Sequence, residues 1–397
     1  MRQPEALKTD RPLKWSAGTG QEVWAMFCAC VGGDAAAVRS LLEKDPSLAR
    51  CQHAYRKPLY FAVRENRLEA AELLLERDPN PMDLAVNDSL LEIARDRGYA
   101  EMGELIRKKL LARFGASERG ELVAAAIRAR EAGEVSKLLD GSPELLHAGD
   151  LRGSQPIHWA VMTRQIELID ELLRRGADLN ARRMDGARPI HLANGDYHYR
   201  GWRDVPKETV ASPREVYQHL VARGVEVDLG MACATGDMER VRKLAEGDGT
   251  LVNRASDYSS YYLGCGAPIK NAAAAGHLEI VRYLLAQGAD PNLAEEGIAP
   301  DGHALYSAAA NGHFEVAKLL LENGAKPNAE VESSADTLSR VISNDDKKML
   351  ELLCSHGAAR PVHLLAYSND LQTAAAVFAA NPALANDPEA LANAAGE

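Results

Sequence analysis

The sequence repeats a short helix-ending pattern at similar intervals along much of its length. The pattern occurs as RRGADLN (174–180), ARGVEVD (222–228), AQGADPN (286–292), ENGAKPN (322–328) and SHGAARP (355–361). Each string follows a Leu-rich stretch whose apolar residues have the spacing of an amphipathic helix. Glycine commonly ends a helix, because it adopts the left-handed backbone conformation without the steric cost of a Cβ atom. The chain is therefore predicted to consist of similar helical repeats.

A shorter, Ala-rich helix is predicted before several of these helices. It begins with QPIHWA in one repeat and RPIHLA in another, and Pro156 and Pro189 lie 33 residues apart. Weaker versions are KPLYFA, APIKNA and HALYSA. This pattern resembles the ankyrin repeat family, in which a β-turn finger and two antiparallel helices form a unit with the signature T-P-L-H-x-A. The resemblance extends over nearly the whole chain.

The resemblance implies an all-α ankyrin repeat solenoid of about eleven helix–turn–helix repeats with short β-turn fingers. Residues 1–20 are predicted to be an N-terminal extension and residues 21–397 to be the repeat array. The last repeat is incomplete at 387–397, and a half repeat would leave an apolar face uncapped. We therefore expect the natural chain to continue beyond Glu397.

The histidines of the signature are interpreted as scaffold residues. In the ankyrin family this histidine bridges neighbouring repeats through backbone hydrogen bonds, so the resemblance implies a structural role for His158 and His191. Other repeats have Tyr60, Lys270 and Tyr306 at this position. Lys270 is a candidate ligand-binding residue, and the alternative is that its cation is solvated or pairs with a carboxylate.

Charge and composition argue against several classes of function. The formal net charge is −11, which does not favour a general attraction to nucleic acid or anionic lipid. The first 20 residues contain no apolar signal segment, and no apolar run is long enough to span a membrane. None of the six cysteines forms a C-x-x-C pair, so neither a zinc site nor a disulfide framework is indicated. We expect a cytoplasmic protein that binds neither nucleic acid nor membrane and has no metal or cofactor.

One repeat carries an insertion, residues 195–211, between its two helices. Its second helix is predicted to begin at Ser212, because Ser212, Pro213 and Glu215 suit the first positions of a helix. Flexible linkers consist of Gly and Ser, whereas this insertion is rich in aromatic and basic side chains. Its predicted binding residues are Tyr197, Tyr199, Arg200, Trp202 and Arg203.

A second Tyr-rich segment, residues 254–266, lengthens the finger of a later repeat. It adds Tyr258, Tyr261 and Tyr262, which together with Lys270 complete the predicted binding surface. Tyrosine, tryptophan and arginine are enriched among the residues that dominate the energetics of protein interfaces. The alternative is that these aromatic side chains only hold the two segments against the solenoid.

The predicted function is that of a non-enzymatic scaffold, which binds a protein partner through the concave groove of the solenoid and the aromatic insertion. The alternative is a pocket for a small polar molecule, such as a carbohydrate, formed by the insertion over the groove. In that case the candidate catalytic residues are Asp196, His198 and Tyr199. A metal site made of His191, Asp196 and His198 is disfavoured, because the scaffold already explains His191. A purely structural spacer does not explain the aromatic insertion.

Overall fold

The computed structural model describes residues 2–78, 89–195, 210–258, 262–295, 298–331, 335–358, 371–380 and 382. Backbone contacts divide the chain into two compact units. The first comprises Met1–Met231 and Ser256–Cys265, and the second comprises Ala232–Ala255 and Gly266–Glu397. Almost all regular structure in the described residues is helical, so the predicted all-α class is confirmed.

The first compact unit consists of consecutive α-helices and short 3₁₀ helices. The α-helices are α1 (Gly20–Gly32), α2 (Ala35–Lys44), α3 (Pro58–Arg64), α4 (Leu68–Arg77), α5 (Leu90–Asp96), α6 (Ala100–Phe114), α7 (Glu118–Arg128), α8 (Ala132–Gly141), α9 (Pro156–Met162), α10 (Ile166–Arg174) and α11 (Pro213–Ala222). The 3₁₀ helices are η1 (Glu5–Leu7), η2 (Pro46–Arg50), η3 (Pro143–His147) and η4 (Pro189–Leu192).

Helix α12 (Leu229–Thr235) begins in the first compact unit and ends in the second. The second unit continues with α13 (Met238–Gly247), η5 (Gly249–Asn253), α14 (Pro268–Ala274), α15 (Leu278–Ala286), α16 (Ala304–Ala310), α17 (Phe314–Glu322), α18 (Thr337–Ser343), α19 (Lys347–Ser355) and α20 (Leu371–Ala380). Two short antiparallel strands, β1 (Glu330–Val331) and β2 (Ala335–Asp336), precede α18, with Glu330 opposite Asp336.

Helix pairs stack on their neighbours within each compact unit. In the first unit α1 packs on α3, α3 on α5, α2 on α4 and α4 on α6. In the second unit α14 packs on α16, α16 on α18 and α15 on α17. Each second helix has one buried stripe, as in α10, which buries Leu168, Ile169 and Leu172. Stacking buries this stripe against the next pair, which is how a repeat array builds a continuous core.

The helix ends follow the sequence signals. Left-handed backbone torsions, with φ from 82° to 97°, occur at Gly176, Gly224, Gly288, Gly324 and Gly357. Helix α11 starts as predicted, with Pro213 as its first residue. The Ser212 hydroxyl accepts a hydrogen bond from the Glu215 amide at 3.2 Å, and the Glu215 carboxylate accepts one from the Ser212 amide at 2.7 Å. This reciprocal cap satisfies amides that would otherwise lack partners at the helix start.

His158 bonds to two backbone groups and links its own repeat to the next finger. Its Nδ1 accepts from the Gln155 amide at 3.1 Å, and its Nε2 lies 3.0 Å from the Ala181 carbonyl oxygen. The side chain is fully buried. Burial, helped by the positive charge of Arg183, lowers the pKa of His158 to about 4. His158 is therefore a neutral imidazole that donates from Nε2 to Ala181, as its scaffold interpretation predicts.

Asparagines link consecutive repeats in the second compact unit. The Asn253 side chain donates to the Gly288 carbonyl at 2.8 Å and accepts from the Asp290 amide at 2.7 Å. The Asn292 side chain likewise donates to the Gly324 carbonyl at 2.9 Å and accepts from the Lys326 amide at 2.8 Å. Each asparagine therefore satisfies backbone groups at the helix end of the following repeat.

Candidate functional site

Only some of the predicted site residues are among the residues that the structure describes. All the catalytic candidates and most of the binding candidates lie outside the described residues, namely Asp196, Tyr197, His198, Tyr199, Arg200, Trp202, Arg203 and Tyr261. The described candidates are Tyr258 and Tyr262 in the first compact unit and Lys270 in the second.

The finger that precedes η4, residues 183–187, is built around a buried ion pair. Its turn is closed by hydrogen bonds from the Arg183 amide to the Ala187 carbonyl and from the Gly186 amide to the Arg183 carbonyl. The side chains of Arg183 and Asp185 are only 4% and 8% exposed. The guanidinium contacts both carboxylate oxygens, with Nε 3.0 Å from Oδ1 and Nη2 2.8 Å from Oδ2. This forked geometry compensates both charges for the loss of water.

The Tyr-rich segment covers this finger, and we call its described residues, 256–258 and 262–265, the tyrosine strap. The Tyr262 hydroxyl hydrogen-bonds to Asp185 and to Arg183, and Tyr262 is buried. Burial alone would raise the pKa of Asp185, but the Arg183 charge and the hydrogen bonds from Arg183 and Tyr262 lower it below its usual value. Asp185 therefore stays ionised beneath the strap.

The strap passes directly over the turn at Gly186. Gly186 has a φ of +80°, and a Cβ atom there would lie 2.8 Å from the Asp257 carbonyl oxygen. Asp257 itself is exposed and pairs with Arg182 at 2.8 Å. Only glycine fits this position, because it combines a left-handed backbone with close contact to another segment.

Tyr258 anchors the other part of the strap against His191. The two rings are stacked, with centroids 3.9 Å apart and an interplanar angle of 17°. Tyr258 is 4% exposed, and burial raises the pKa of its hydroxyl well above the usual value. Tyr258 and Tyr262 are thus covered by their own chain, as the packing alternative requires. Their contact with a partner stays a prediction.

Both ring nitrogens of His191 are engaged inside the protein. Nδ1 accepts from the Arg188 amide at 3.1 Å, and Nε2 lies 2.9 Å from Asp228 Oδ2. Burial lowers the pKa of His191, although Asp228 acts in the opposite direction. The Arg188 guanidinium also contacts Asp228, at 2.8 Å. His191 therefore differs from His158, because its second partner is a side chain and not a backbone carbonyl.

Lys270, on α14, acts electrostatically on a buried carboxylate of the second compact unit. Glu295 is 5% exposed, accepts from the Ala267 amide at 3.1 Å and lies 3.5 Å from His303 Nδ1. Burial would raise the pKa of Glu295, but the His303 hydrogen bond and the charges of Lys270 and His303 lower it. This arrangement favours the alternative in which Lys270 interacts with a carboxylate, and its role in ligand binding stays a prediction.

Comparison with known proteins identifies part of this architecture. Residues 229–331 match the family model "Ankyrin repeats (3 copies)", and residues 152–183 match the model "Ankyrin repeat". Residues 152–183 and 229–331 carry ankyrin repeats. Together with the stacked helix pairs, these matches confirm the predicted ankyrin repeat fold class. Outside the two ranges the ankyrin assignment stays a prediction.

A curated relative is the human (Homo sapiens) transient receptor potential cation channel subfamily A member 1. It is 30% identical over 151 residues, which are 38% of this chain and 12% of the relative. The chain thus matches about an eighth of that protein. No helix among the described residues of this chain is long and apolar enough to cross a membrane.

Sequence reasoning missed an aromatic finger near the N-terminus. Tyr55 lies three residues before Pro58, as Gly153 and Gly186 lie three residues before the prolines that open α9 and η4. Aligning the fingers on these prolines would have singled out Tyr55, because it stands where the other two fingers have glycine. Its neighbour Arg56 carries a charge that the repeat signature does not explain.

Proposed function

We propose that the protein is a non-enzymatic scaffold, whose ankyrin repeats bind a protein partner through the groove formed by their first helices and fingers and through the insertion 195–211. One observation supports this most directly. The insertion lies between the two ranges that match ankyrin repeats, 152–183 and 229–331. An aromatic and basic segment within such an array has the composition of an interface anchor.

In this proposal the second compact unit supplies small residues as the floor of the groove. At the C-terminal ends of α14 and α16, the exposed positions are Ala275 and Asn311. Small side chains allow a partner to approach the helices closely, and large aromatic residues at the edge supply contact area. In this proposal Tyr197, Tyr199, Arg200, Trp202, Arg203, Tyr261 and Lys270 supply the contacts.

The test begins by crosslinking a partner to the full chain through a photoreactive residue at Trp202. The double variant Tyr199→Ala with Trp202→Ala should then bind that partner about a hundredfold more weakly, because each anchor is worth on the order of 1–2 kcal/mol. Trp15→Ala, an aromatic change in the N-terminal extension, is the matched control and should leave binding unchanged. Affinity is measured by calorimetry and the melting temperature by circular dichroism.

Two results would contradict the proposal. Unchanged affinity in the double variant would show that the insertion does not contact the partner. A fall of many degrees in the melting temperature would show instead that the aromatic side chains hold the insertion on the repeats. The small-molecule alternative predicts a thermal shift with one member of a carbohydrate and metabolite panel, and loss of any turnover in His198→Ala.

A further inference from the structure

The finger at residues 53–56 has an unusual backbone for its sequence. His53 and Arg56 exchange two hydrogen bonds, at 3.1 and 3.0 Å, which close a two-residue hairpin turn. The two residues of the turn, Ala54 and Tyr55, have φ values of 49° and 59°. Turns of this kind favour Asn-Gly or Asp-Gly, because side chains with a Cβ atom rarely adopt left-handed torsions.

The same position is glycine in two other fingers of the first compact unit. Gly153 and Gly186 have φ values of 75° and 80°, and each lies three residues before a helix-opening proline, as Tyr55 does. Tyr55 is nevertheless 63% exposed, so its ring contributes little to the core. Residues in sparsely populated backbone conformations cluster at functional sites. An exposed aromatic side chain at such a position indicates a surface contact.

Next to Tyr55, an arginine stacks on an aromatic ring. The Arg56 guanidinium lies 4.3 Å from the centroid of the Tyr60 ring, and the Arg64 guanidinium lies 5.6 Å from the same centroid. Arg64 is paired with Glu65 at 2.7 Å. Arg56 has no carboxylate partner in the part of the chain that the structure describes. A stacked guanidinium keeps the donors along its edge available for a carboxylate in bidentate geometry.

The chain segment that begins in this finger has a positive net charge, in contrast to the chain as a whole. Residues 56–67 contain four basic side chains and one acidic side chain, whereas the whole chain has a net charge of −11. Charge complementarity selects partners and speeds their association. The local field therefore favours an acidic partner at this finger.

We propose that this surface is a docking site for an acidic segment of a protein partner. We call it the tyrosine finger and define it as residues 53–56 together with Tyr60 and Arg64. A partner carboxylate pairs with the edge of Arg56, and a partner apolar side chain lies against the ring of Tyr55. The proposal does not depend on the insertion 195–211, which lies in a different repeat.

The test uses the full chain and a fluorescein-labelled peptide of alternating glutamate and phenylalanine, with binding followed by fluorescence anisotropy. Arg56→Lys keeps the charge but loses the planar fork, so the affinity should fall by about tenfold. Tyr55→Gly removes the ring while fitting the left-handed turn, so it should weaken binding by a similar factor with little change in the melting temperature. The same peptide with lysine in place of glutamate should not bind.

Matched controls separate this site from general charge effects and from the insertion. Arg95→Ala removes an exposed arginine on α5 that pairs with Asp96, and it should leave peptide binding unchanged. Tyr199→Ala with Trp202→Ala should also leave it unchanged, so failure of this proposal is distinguishable from failure of the proposed function. The proposal is overturned by no binding, by equal binding of Arg56→Lys and the wild type, or by tighter binding of a labelled oligouridylate.

Discussion

The finger at 183–187 and the tyrosine finger place their large side chains in opposite ways. In the first, Arg183 and Asp185 point inward, and Tyr262 covers them. In the second, Tyr55 points outward and Arg56 stacks on Tyr60. The difference teaches that an aromatic and charged composition does not by itself mark a binding surface. The tyrosine strap covers the finger at 183–187, whereas the Tyr55 side chain is 63% exposed.

The comparison is tested most strongly by removing the buried carboxylate. Asp185→Ala leaves the Arg183 charge buried without its partner, so the free energy of unfolding should fall by about 3–5 kcal/mol. Asp257→Ala breaks the neighbouring exposed pair with Arg182, whose side chains are 69% and 51% exposed, and should cost less than about 1 kcal/mol. Urea unfolding followed by circular dichroism gives both values. Equal losses would show that the buried pair has no special role.

Acid should destabilise the covered finger through His158, which bonds to the Ala181 carbonyl just before it. The folded pKa of His158 is about 4 and the ordinary value is 6.5, so the unfolded chain binds the extra proton between these pH values. The neutral imidazole of His158 therefore makes its full contribution to the free energy of unfolding above pH 6.5. This contribution, about 3 kcal/mol, is lost as the pH falls toward 4.

The measurement compares urea unfolding of the wild type and of His158→Gln at several pH values. The variant should show a smaller loss of stability between pH 6.5 and 4, because it has no imidazole to protonate. Hydrogen exchange should show that amides near Ala181 lose protection before those of the tyrosine finger. Parallel pH profiles for the two proteins would contradict the burial of a neutral His158.

Substitutions at the turn residues Gly186 and Tyr55 are expected to have the smallest effects on the free energy of unfolding. Gly186→Ala should cost about 2 kcal/mol, because a Cβ atom there meets the Asp257 carbonyl oxygen and a left-handed backbone. Tyr55→Gly should change the free energy of unfolding by less than about 1 kcal/mol in either direction. Glycine removes the strain of the left-handed backbone, which stabilises the fold, but it also increases the conformational entropy of the unfolded chain, which destabilises the fold. Thermal unfolding of both variants measures the difference, and a large loss in Tyr55→Gly would show that the ring stabilises the fold.

The fold could be predicted because its signals are local in sequence. The glycines that end the helices and the cap at Ser212 act within a few residues of themselves, and the structure shows both. The burial of Tyr262 could not be predicted, because its partner Asp185 is 77 residues away. The aromatic composition of the strap is the same whether it faces a partner or its own chain.

The position of Tyr55 could have been recognised from the sequence but was not. Tyr55 is recognisable as the residue that stands where two other fingers have a left-handed glycine. The stacking of Arg56 on Tyr60 was not predictable, because it depends on how the finger folds back over α3. The insertion 195–211 remains a prediction from composition alone.

The asparagines that link repeats in the second compact unit have a consequence for how such arrays change in length. In the part of the chain that the structure describes, the side chains of Asn253 and Asn292 hydrogen-bond to carbonyl and amide groups of the main chain in the repeat that follows. The junction therefore places little demand on which side chains that next repeat contains. A gene segment encoding one repeat can be duplicated, deleted or moved together with its asparagine. The asparagine can then form the same hydrogen bonds to the main chain of whichever repeat follows. Backbone hydrogen bonds of this kind therefore allow recombination to lengthen the protein without new side chains at each repeat junction.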